Sequence, residues 1–399
     1  MGSDLMVAAT RAAREPVIVG VADLPLLDGM VLTPMSPLQA QARAAHAALK
    51  DAGIAMAEVD GLLTAGMWGL PGAGMLPTVT LGEYLGIVPR FMDGTNIGGS
   101  AFESHVGHAA MAIEAGRCEV ALITYGSVQK SERSRNLAGR PAALTMQFEA
   151  PWGLPTPVGG YAIAAMRHMH EFGTTSEQLA EIAVATRKWA SLNPAAMHRE
   201  PIGIGDVLAS PMISDPLHLL DSCLVTDGAG AVVMTTAEHA RALGVVPIHV
   251  RGHGEAHTHW TVAAMPDAAR LIPAEISGRN ALAMAGMTLD AIDVVEVYDS
   301  FTITVLLTLE ALGFCKRGEG GQFVSGQRTA PGGSFPMNTN GGGLSFCHPG
   351  MYGIFLLIEA VRQLRGQCGD RQVANATTAL VHGTGGTLSS GSTCILSRN

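Results

Sequence analysis

The chain has 399 residues, of which 47% are hydrophobic and 15% charged. This composition is typical of a compact globular protein with a large buried interior, and it argues against disorder. The net charge is −9 and no lysine- or arginine-rich stripe is present, which excludes the usual electrostatic pattern of a nucleic-acid-binding protein.

The six cysteines lie at scattered spacings without a CxxC pair. This pattern favours neither a structural zinc site nor a disulfide framework, and it predicts a reducing, cytoplasmic environment. The sequence after Met1 lacks a charged stretch followed by an apolar one, and no run of about 18 apolar residues occurs. We therefore expect a soluble protein that is neither exported nor inserted in a membrane.

The first part of the chain alternates between predicted strands and helices. β-branched and apolar runs predict strands at 16–22, 59–64 and 120–125, and amphipathic patterns predict helices at 36–52 and 100–115. Ser36 caps the first of these helices and Gly53 ends it, while Gly116 ends the second. This alternation predicts a parallel sheet covered on both faces.

Residues 126–216 interrupt that alternation with a polar start, a Pro/Gly/Trp-rich middle and a predicted helix at 176–192. Such an insertion commonly folds over a core and shapes a substrate pocket. A second series then begins. Its predicted strands are 224–235, 246–253, 292–298, 379–382 and 393–396, and its predicted helices are 263–285 (broken near Pro273), 302–312 and 352–365.

The chain is therefore predicted to be an α/β protein with two similar halves. The first half comprises 1–125 and 217–243, the inserted cap 126–216, and the second half 244–399.

Two segments of the second half carry acid-base side chains. Residues 338–350 read Asn-Thr-Asn-Gly-Gly-Gly-Leu-Ser-Phe-Cys-His-Pro-Gly, so that His348 follows a glycine turn. Upstream, an apolar strand ends in Tyr298-Asp299-Ser300-Phe301. A histidine held rigidly by such a turn is suited to acid-base chemistry.

These segments and their separation resemble the thiolases, most closely the sterol carrier protein x type, in which the tetrad is His-Asp-Cys-Phe. The resemblance covers nearly the whole chain and implies the thiolase fold. Counting back from Gly116 places the nucleophilic cysteine of thiolases at Gly99, and the second cysteine at Ser300. His382-Gly-Thr-Gly-Gly386 stands in place of a Cys-x-Gly-Gly-Gly motif, and His348 is retained. No acyl-enzyme is therefore expected.

Thiolase-like proteins without the cysteine include retro-aldolases that act on β-hydroxyacyl-CoA thioesters in steroid side-chain breakdown. They carry tyrosine at the tetrad, as here, but also at the position of His348. The resemblance thus implies a carbon-carbon lyase with a coenzyme A thioester as substrate, no cofactor and no metal. Tyr298 is expected to act as base and His348 as acid and oxyanion stabiliser, although the two roles are exchangeable. Backbone N–H groups of Gly341, Gly342 and Gly343, or of Gly385 and Gly386, would assist.

The same resemblance predicts a homodimer, with a small OB-fold/zinc-ribbon protein as an additional partner. Two alternatives stay open: a non-catalytic acyl-CoA-binding or scaffold subunit, and an acyltransferase or thiolase with a substitute nucleophile. Retention of two acid-base groups favours the enzyme.

Further candidates for the cleft each have a structural alternative. Ser100 is a nucleophile or an N-cap, Cys347 a thiolate or an inert neighbour of His348, and Glu103 and His382 line the cleft floor or complete hydrogen bonds. His253, His257 and His259 have partial metal-ligand spacing but no fourth ligand, so pocket lining or a solvated turn is favoured. Coenzyme A phosphates could meet a local basic patch containing Arg133, Arg135 and Arg140, although a solvated loop is an equal alternative.

Overall fold

The computed structural model describes residues 14–66, 76–132, 147–154 and 157–399. The strands are β1 (Pro16–Asp23), β2 (Leu26–Leu27), β3 (Met30–Val31), β4 (Gly61–Leu63), β5 (Phe91–Asp93), β6 (Ala121–Ser127), β7 (Met212–Ser214), β8 (Leu217–His218), β9 (Gly228–Thr236), β10 (Ile248–His257), β11 (Val294–Val297), β12 (Thr378–Gly385) and β13 (Ser390–Ser397). The helices are α1 (Pro37–Ala52), α2 (Pro77–Leu85), α3 (Ala101–Glu114), α4 (Val158–Phe172), α5 (Ser176–Ser191), α6 (Ile204–Ala209), α7 (Ala237–Leu243), α8 (Ile272–Ala285), α9 (Thr302–Leu312), α10 (Gly320–Val324) and α11 (Gly353–Arg365).

The central sheet contains the same strand pattern twice. Within the described residues its order is β11-β12-β13-β10-β1-β9-β6-β4-β5. In the first half β5, β4 and β6 are parallel, and β9 and β1 follow antiparallel. In the second half β11 and β12 are parallel and β13 and β10 antiparallel, while Met337 forms a parallel bridge with Val295 at the place that β5 has in the first half.

The predicted α/β fold with two similar halves is confirmed, whereas the expected parallel sheet is only partly right: β5, β4 and β6 are parallel, as are β11 and β12, but the other pairs are antiparallel. Each half ends with strands that return antiparallel, and β1 pairs with β10 antiparallel to join the halves, with Val17 opposite His249. The boundaries given above for the three domains remain predictions.

Four helices cover the sheet in two layers. Helices α3 and α11 contact strands of both halves. The outer helices α1 and α8 lie so close to the sheet that only glycine fits beneath them. An ideal Cβ at Gly20 of β1 would lie 2.2 Å from the carbonyl oxygen of Ala48, and one at Gly252 of β10 would lie 2.1 Å from that of Ala281. The start of α3 and the start of α11 meet at the junction of the two halves.

Helix ends largely follow the expected signals. The Ser36 hydroxyl accepts from the Gln39 N–H, Gln39 reciprocates, and Gly53 ends α1 with φ 70°, which forms a capping box and a glycine C-cap. Pro273 does not break a helix as expected. It lies in the first turn of α8, where a missing N–H costs nothing.

The inserted segment contains more helix than predicted. Helix α4 precedes α5, and α6 and the β7–β8 hairpin follow. Helix α5 packs against the turn Gly342–Phe346, which is a single turn of π-helix. None of the helices in the described ranges is long and apolar enough to cross a bilayer.

Candidate active site

Tyr298 follows the buried strand β11, and its ring is 4% exposed. Its N–H donates to the carbonyl oxygen of His382 at 2.9 Å, which ties the end of β11 to β12. The ring lies on Gly99, just before α3: an ideal Cβ at Gly99 would lie 2.2 Å from Cε2 of Tyr298. Tyr298 therefore fills the space that a side chain at position 99 would need.

His348 meets Tyr298 across the junction of the two halves. The Tyr298 hydroxyl lies 2.8 Å from Nε2 of His348, and the two rings are nearly perpendicular, at 83°. The backbone of His348 is fixed by Thr226, whose hydroxyl accepts the His348 N–H at 2.9 Å and whose N–H donates to the His348 carbonyl at 3.2 Å. The structure thus brings together the two residues predicted to carry the chemistry.

Burial sets the protonation of both groups. It lowers the pKa of His348 to about 4, against the smaller opposing effect of backbone groups at His348 and Leu224. Burial also raises the pKa of Tyr298 well above its usual value, and the negative forms of Cys223, Tyr161 and Tyr125 add to that rise. At neutral pH the pair is a neutral phenol next to a neutral imidazole. A neutral imidazole does not favour the expected role of His348 as acid.

A third aromatic residue, Tyr352, was not predicted as part of the site. Its ring lies edge-on to Tyr298 at 5.8 Å between centroids and is stacked on His348 at 6.4 Å. Its hydroxyl donates to Oδ1 of Asn340 at 2.8 Å. The sequence offered only its position at the start of a predicted helix, which carries no chemical signal.

The Asp299 carboxylate holds the glycine turn in place through hydrogen bonds. Its carboxylate accepts the N–H groups of Gly343 at 2.6 Å and Leu344 at 3.2 Å. Burial raises the pKa of Asp299 to about 7, and these two N–H groups oppose the rise. Gly342 has φ 61°, and an ideal Cβ there would lie 2.0 Å from Oδ2 of Asp299, so this position requires glycine.

These hydrogen bonds correct one prediction. Gly341 donates to the carbonyl of Asn338 at 2.9 Å, Gly342 to Oδ1 of Asn340 at 2.8 Å, and Gly343 to Asp299. The three N–H groups are occupied within the protein, so they do not point at a substrate oxygen as expected. Their role is to hold the turn that leads to His348.

The second glycine pair lies on the other side of the cleft. Gly385 ends β12, and Gly386 is exposed with φ 58°. The Gly386 carbonyl accepts the hydroxyl of Tyr161, on α4, at 2.7 Å. An ideal Cβ at Gly98 would lie 2.7 Å from the Gly386 nitrogen. The predicted oxyanion role of this pair remains a prediction.

Of the two candidate nucleophiles, the Ser100 hydroxyl is hydrogen-bonded and the Cys347 thiol is buried. Ser100 occupies the N-cap position of α3, as one of its two alternatives expected, but its hydroxyl makes no capping bond and lies 2.9 Å from that of Ser390. Cys347 is fully buried, and burial raises the pKa of its thiol well above the usual range, which opposes a thiolate. The Ser300 hydroxyl lies 2.9 Å from that of Thr304.

Two buried titratable groups lie behind the pair. Nδ1 of His382 lies 2.8 Å from the Thr393 hydroxyl, and burial lowers the pKa of His382 to about 3. Glu103 lies on α3, and neither carboxylate oxygen has a hydrogen-bond partner among the described residues. Burial raises the pKa of Glu103 to about 8.

The remaining histidines lie elsewhere. His253 packs against Gly107 of α3, about 12 Å along the helix from Gly99 at 1.5 Å per residue, so its placement in the cleft is not supported. His257 is exposed at the end of β10. The described part of the chain contains no cluster of three metal-ligating side chains. Arg133, Arg135 and Arg140 lie outside the described residues.

Comparisons with known proteins agree with this architecture. The family model described as thiolase C-terminal domain-like matches residues 254–398. An acetyl-CoA acetyltransferase of Methanothermobacter thermautotrophicus is 33% identical over 361 residues, 88% of this chain and 92% of the relative. The 17-hydroxy-3-oxo-4-pregnene-20-carboxyl-CoA lyase of Mycobacterium tuberculosis is 35% identical over 348 residues, 83% of this chain and 87% of the relative. The solved structure of the Ltp2-ChsH2(DUF35) aldolase has a TM-score of 0.85 at 31% identity, covering 97% of this chain and 98% of that chain.

The chain therefore belongs to the thiolase superfamily, and the predicted resemblance to its steroid side-chain aldolases is confirmed.

Proposed function

We propose that this protein is a carbon-carbon lyase of the thiolase superfamily, which cleaves a β-hydroxyacyl-CoA by a retro-aldol reaction into a carbonyl compound and a shortened acyl-CoA. The observation that carries this proposal is the 2.8 Å contact between the Tyr298 hydroxyl and Nε2 of His348. Similarity to the mycobacterial lyase and to the Ltp2-ChsH2(DUF35) aldolase supports the same reaction class. The mycobacterial lyase is named for a steroid acyl-CoA, and we propose a steroid acyl group for the substrate of this protein as well.

The neutral state of the pair favours a proton relay. The Tyr298 oxygen takes the proton of the substrate's β-hydroxyl as the Tyr298 proton moves to Nε2 of His348. The Cα–Cβ bond then breaks, its electron pair forms the thioester enolate, and the β-carbon becomes the carbonyl product. The enolate α-carbon takes a proton back from the pair, which returns to its starting state.

This relay needs no standing phenolate, which burial of Tyr298 would oppose. In this relay Tyr298 contacts the substrate, and His348 holds the transferred proton until a proton returns to the α-carbon. For the developing charge on the thioester oxygen, the Gly385–Gly386 turn remains the proposed donor, since Gly386 is exposed and held by Tyr161. The reaction is redox-neutral, so the proposal calls for no redox cofactor.

A glycine at position 99 also favours the lyase over an acyl transfer. Glycine offers no nucleophile, and the Tyr298 ring occupies the adjoining space. Similarity to the archaeal acetyltransferase keeps acyl transfer as the alternative to be tested.

The partners are part of the proposal. Among the described residues, strand β5 is the last strand of the sheet on the side of the first half. Nearby lie exposed apolar side chains of α2, of β5 and of the loop between them, namely Val79, Tyr84, Val88 and Met92. A second copy of the chain paired at this edge would cover them. The Ltp2-ChsH2(DUF35) assembly supports a further, DUF35-type subunit as partner, in keeping with the small OB-fold/zinc-ribbon protein expected above.

The test is to incubate purified protein, alone and co-expressed with a DUF35-type subunit, with β-hydroxyacyl-CoA thioesters that carry steroid or simple acyl chains. We expect equal amounts of carbonyl product and shortened acyl-CoA by mass spectrometry. Absence of both products with the partner present would replace the lyase with the acyl-CoA-binding subunit, and an acyl adduct on the chain would replace it with the acyltransferase. Sedimentation that gives only monomer at micromolar concentration would refute the dimer.

A further inference from the structure

A cavity lies apart from the Tyr298–His348 pair. It has a volume of about 320 Å³ and is lined by Leu26–Gly29 of the β2–β3 hairpin, by Arg187 of α5 and by Pro194–Glu200. We call this cavity the Arg187 pocket. Its volume is at the lower end of the range of small-molecule sites, about 300–1,000 Å³.

Arg187 is the most unusual residue of the pocket, because it is only 6% exposed and yet makes no ion pair with a carboxylate of the described residues. Its Nε donates to the Ser345 hydroxyl at 2.9 Å, and one terminal nitrogen donates to the Glu200 carbonyl at 3.0 Å. Burial lowers the pKa of Arg187, and no neighbouring negative charge opposes that shift. A buried charge without a counter-charge is costly, so an anion at this position would stabilise it.

Other cationic groups face the same space. Arg199 lines the pocket, and the ammonium group of Lys130 donates to the Asp28 carbonyl at 2.5 Å. His198 also lines the pocket, but burial and the charges of Arg187 and Lys130 lower its pKa, so it adds no positive charge at neutral pH. The acidic side chains in the lining are Asp28 and Glu200. In a chain of net charge −9, this concentration of positive groups is local.

We propose that the Arg187 pocket binds a small organic anion, whose carboxylate or phosphate group contacts the guanidinium of Arg187. A planar guanidinium with remaining N–H donors matches either group. The apolar body of the ligand would lie against Leu26, Leu27 and Met197, which also line the cavity.

The pocket contacts both segments that fix His348. Arg187 donates a hydrogen bond to Ser345, which lies in the turn that precedes His348. Gly29 packs on Thr226, with an ideal Cβ 3.0 Å from its Cγ2, and the Thr226 hydroxyl accepts the His348 N–H. A ligand in the pocket would therefore also touch the supports of the proposed active site.

The experiment is isothermal titration calorimetry of the purified chain with four anions: inorganic phosphate, hexanoate, coenzyme A and 3′-dephospho-coenzyme A. Hexanamide serves as the uncharged match to hexanoate. We expect at least one anion to bind with a Kd in about the millimolar range or tighter, and hexanamide not to bind. Preference for hexanoate identifies a carboxylate ligand, and preference for phosphate or for coenzyme A over its dephospho form identifies a phosphate ligand.

Arg187→Gln, Arg199→Gln and Lys130→Gln should each weaken binding, by about tenfold for Arg187→Gln. Arg279→Gln, an exposed change on α8, is the control and should leave the Kd unchanged. If Arg187→Gln does not fold, the Arg199→Gln and Lys130→Gln variants still decide the question. Failure of every anion to bind, or equal binding by the pocket variants and the control, overturns the proposal. The titration requires no lyase activity, so it stands apart from the function proposed above.

Discussion

The Tyr298 ring occupies the space in which a side chain of residue 99 would have to lie. An ideal Cβ at Gly99 would be 2.2 Å from Cε2 and 2.8 Å from Cζ of Tyr298, distances that packed atoms do not reach. The glycine and the tyrosine are therefore linked: with the phenol next to His348, there is no room for a side chain at position 99.

The first prediction concerns Gly99. Gly99→Ala should displace the Tyr298 ring, lower the free energy of unfolding by about 1–3 kcal/mol and reduce cleavage. Urea denaturation and the lyase assay measure the two effects. Gly205→Ala is the matched control, because nothing lies within 4 Å of a Cβ at that position of α6. Full cleavage activity in Gly99→Ala would show that the position of the ring does not matter.

A second prediction concerns the absence of an acyl-enzyme. After incubation with acetyl-CoA or acetoacetyl-CoA, mass spectrometry should find the chain unmodified, because Ser100 is engaged with Ser390 and Cys347 is buried with a raised thiol pKa. A stable adduct on either residue would contradict this prediction and favour the acyltransferase alternative.

The third prediction concerns the loss of activity when the hydroxyl oxygen of Tyr298 is removed. Tyr298→Phe keeps the ring that packs on Gly99 and deletes only the hydroxyl bonded to His348. We expect kcat to fall by about 10² or more, the usual contribution of a positioned acid-base group, with unchanged far-UV circular dichroism. Arg279→Gln, an exposed change on α8, is the control and should retain full activity.

The fourth prediction tests whether Tyr298 and His348 act as one unit. In a relay, removal of either member stops the same proton transfer, so the losses should not add. Tyr298→Phe/His348→Ala should be about as slow as the slower single variant. Multiplication of the two losses would indicate independent roles, and full activity in both single variants would refute the relay.

Local signals marked the end of an apolar strand at Tyr298 and a glycine turn before His348, and they also predicted the capped helix α1. The meeting of Tyr298 with His348 was implied by the resemblance to thiolases. Short elements such as α2, β5 and α6 were not predicted, since they have too few residues for a clear period. The direction of β9 and β13 was also hidden, because strand alternation does not reveal which strands return antiparallel.

Contacts between distant parts of the chain set the finer chemistry of the site. That Gly343 donates to Asp299, that Tyr352 stacks on His348, and that Arg187 has no carboxylate partner within the described ranges all depend on folding. Protonation also depends on folding, because burial lowers the pKa of His348.

The last prediction uses Glu103, a buried carboxyl group without a hydrogen-bond partner among the described residues. Its oxygens are wedged between α11 and β12: an ideal Cβ at Gly353 would lie 2.6 Å from Oε2, and one at Gly383 would lie 2.2 Å from it. Burial raises its pKa from 4.5 to about 8. The folded state therefore holds this proton more tightly than the unfolded state, and the resulting stability is present below about pH 4.5 and is lost as the pH rises through about 8.

Glu103→Gln keeps the shape of the protonated acid and cannot ionise. We expect it to match the wild-type free energy of unfolding at pH 5 and to exceed it at pH 9 by about 1 kcal/mol or more, since each unit of pKa shift corresponds to about 1.4 kcal/mol. Urea denaturation at both pH values measures the difference. Glu83→Gln, an exposed change on α2, controls for the loss of one carboxylate from the chain. If Glu103→Gln and the wild type lose stability in parallel between pH 5 and 9, then Glu103 is already ionised in the folded protein, and an unseen partner must stabilise its charge.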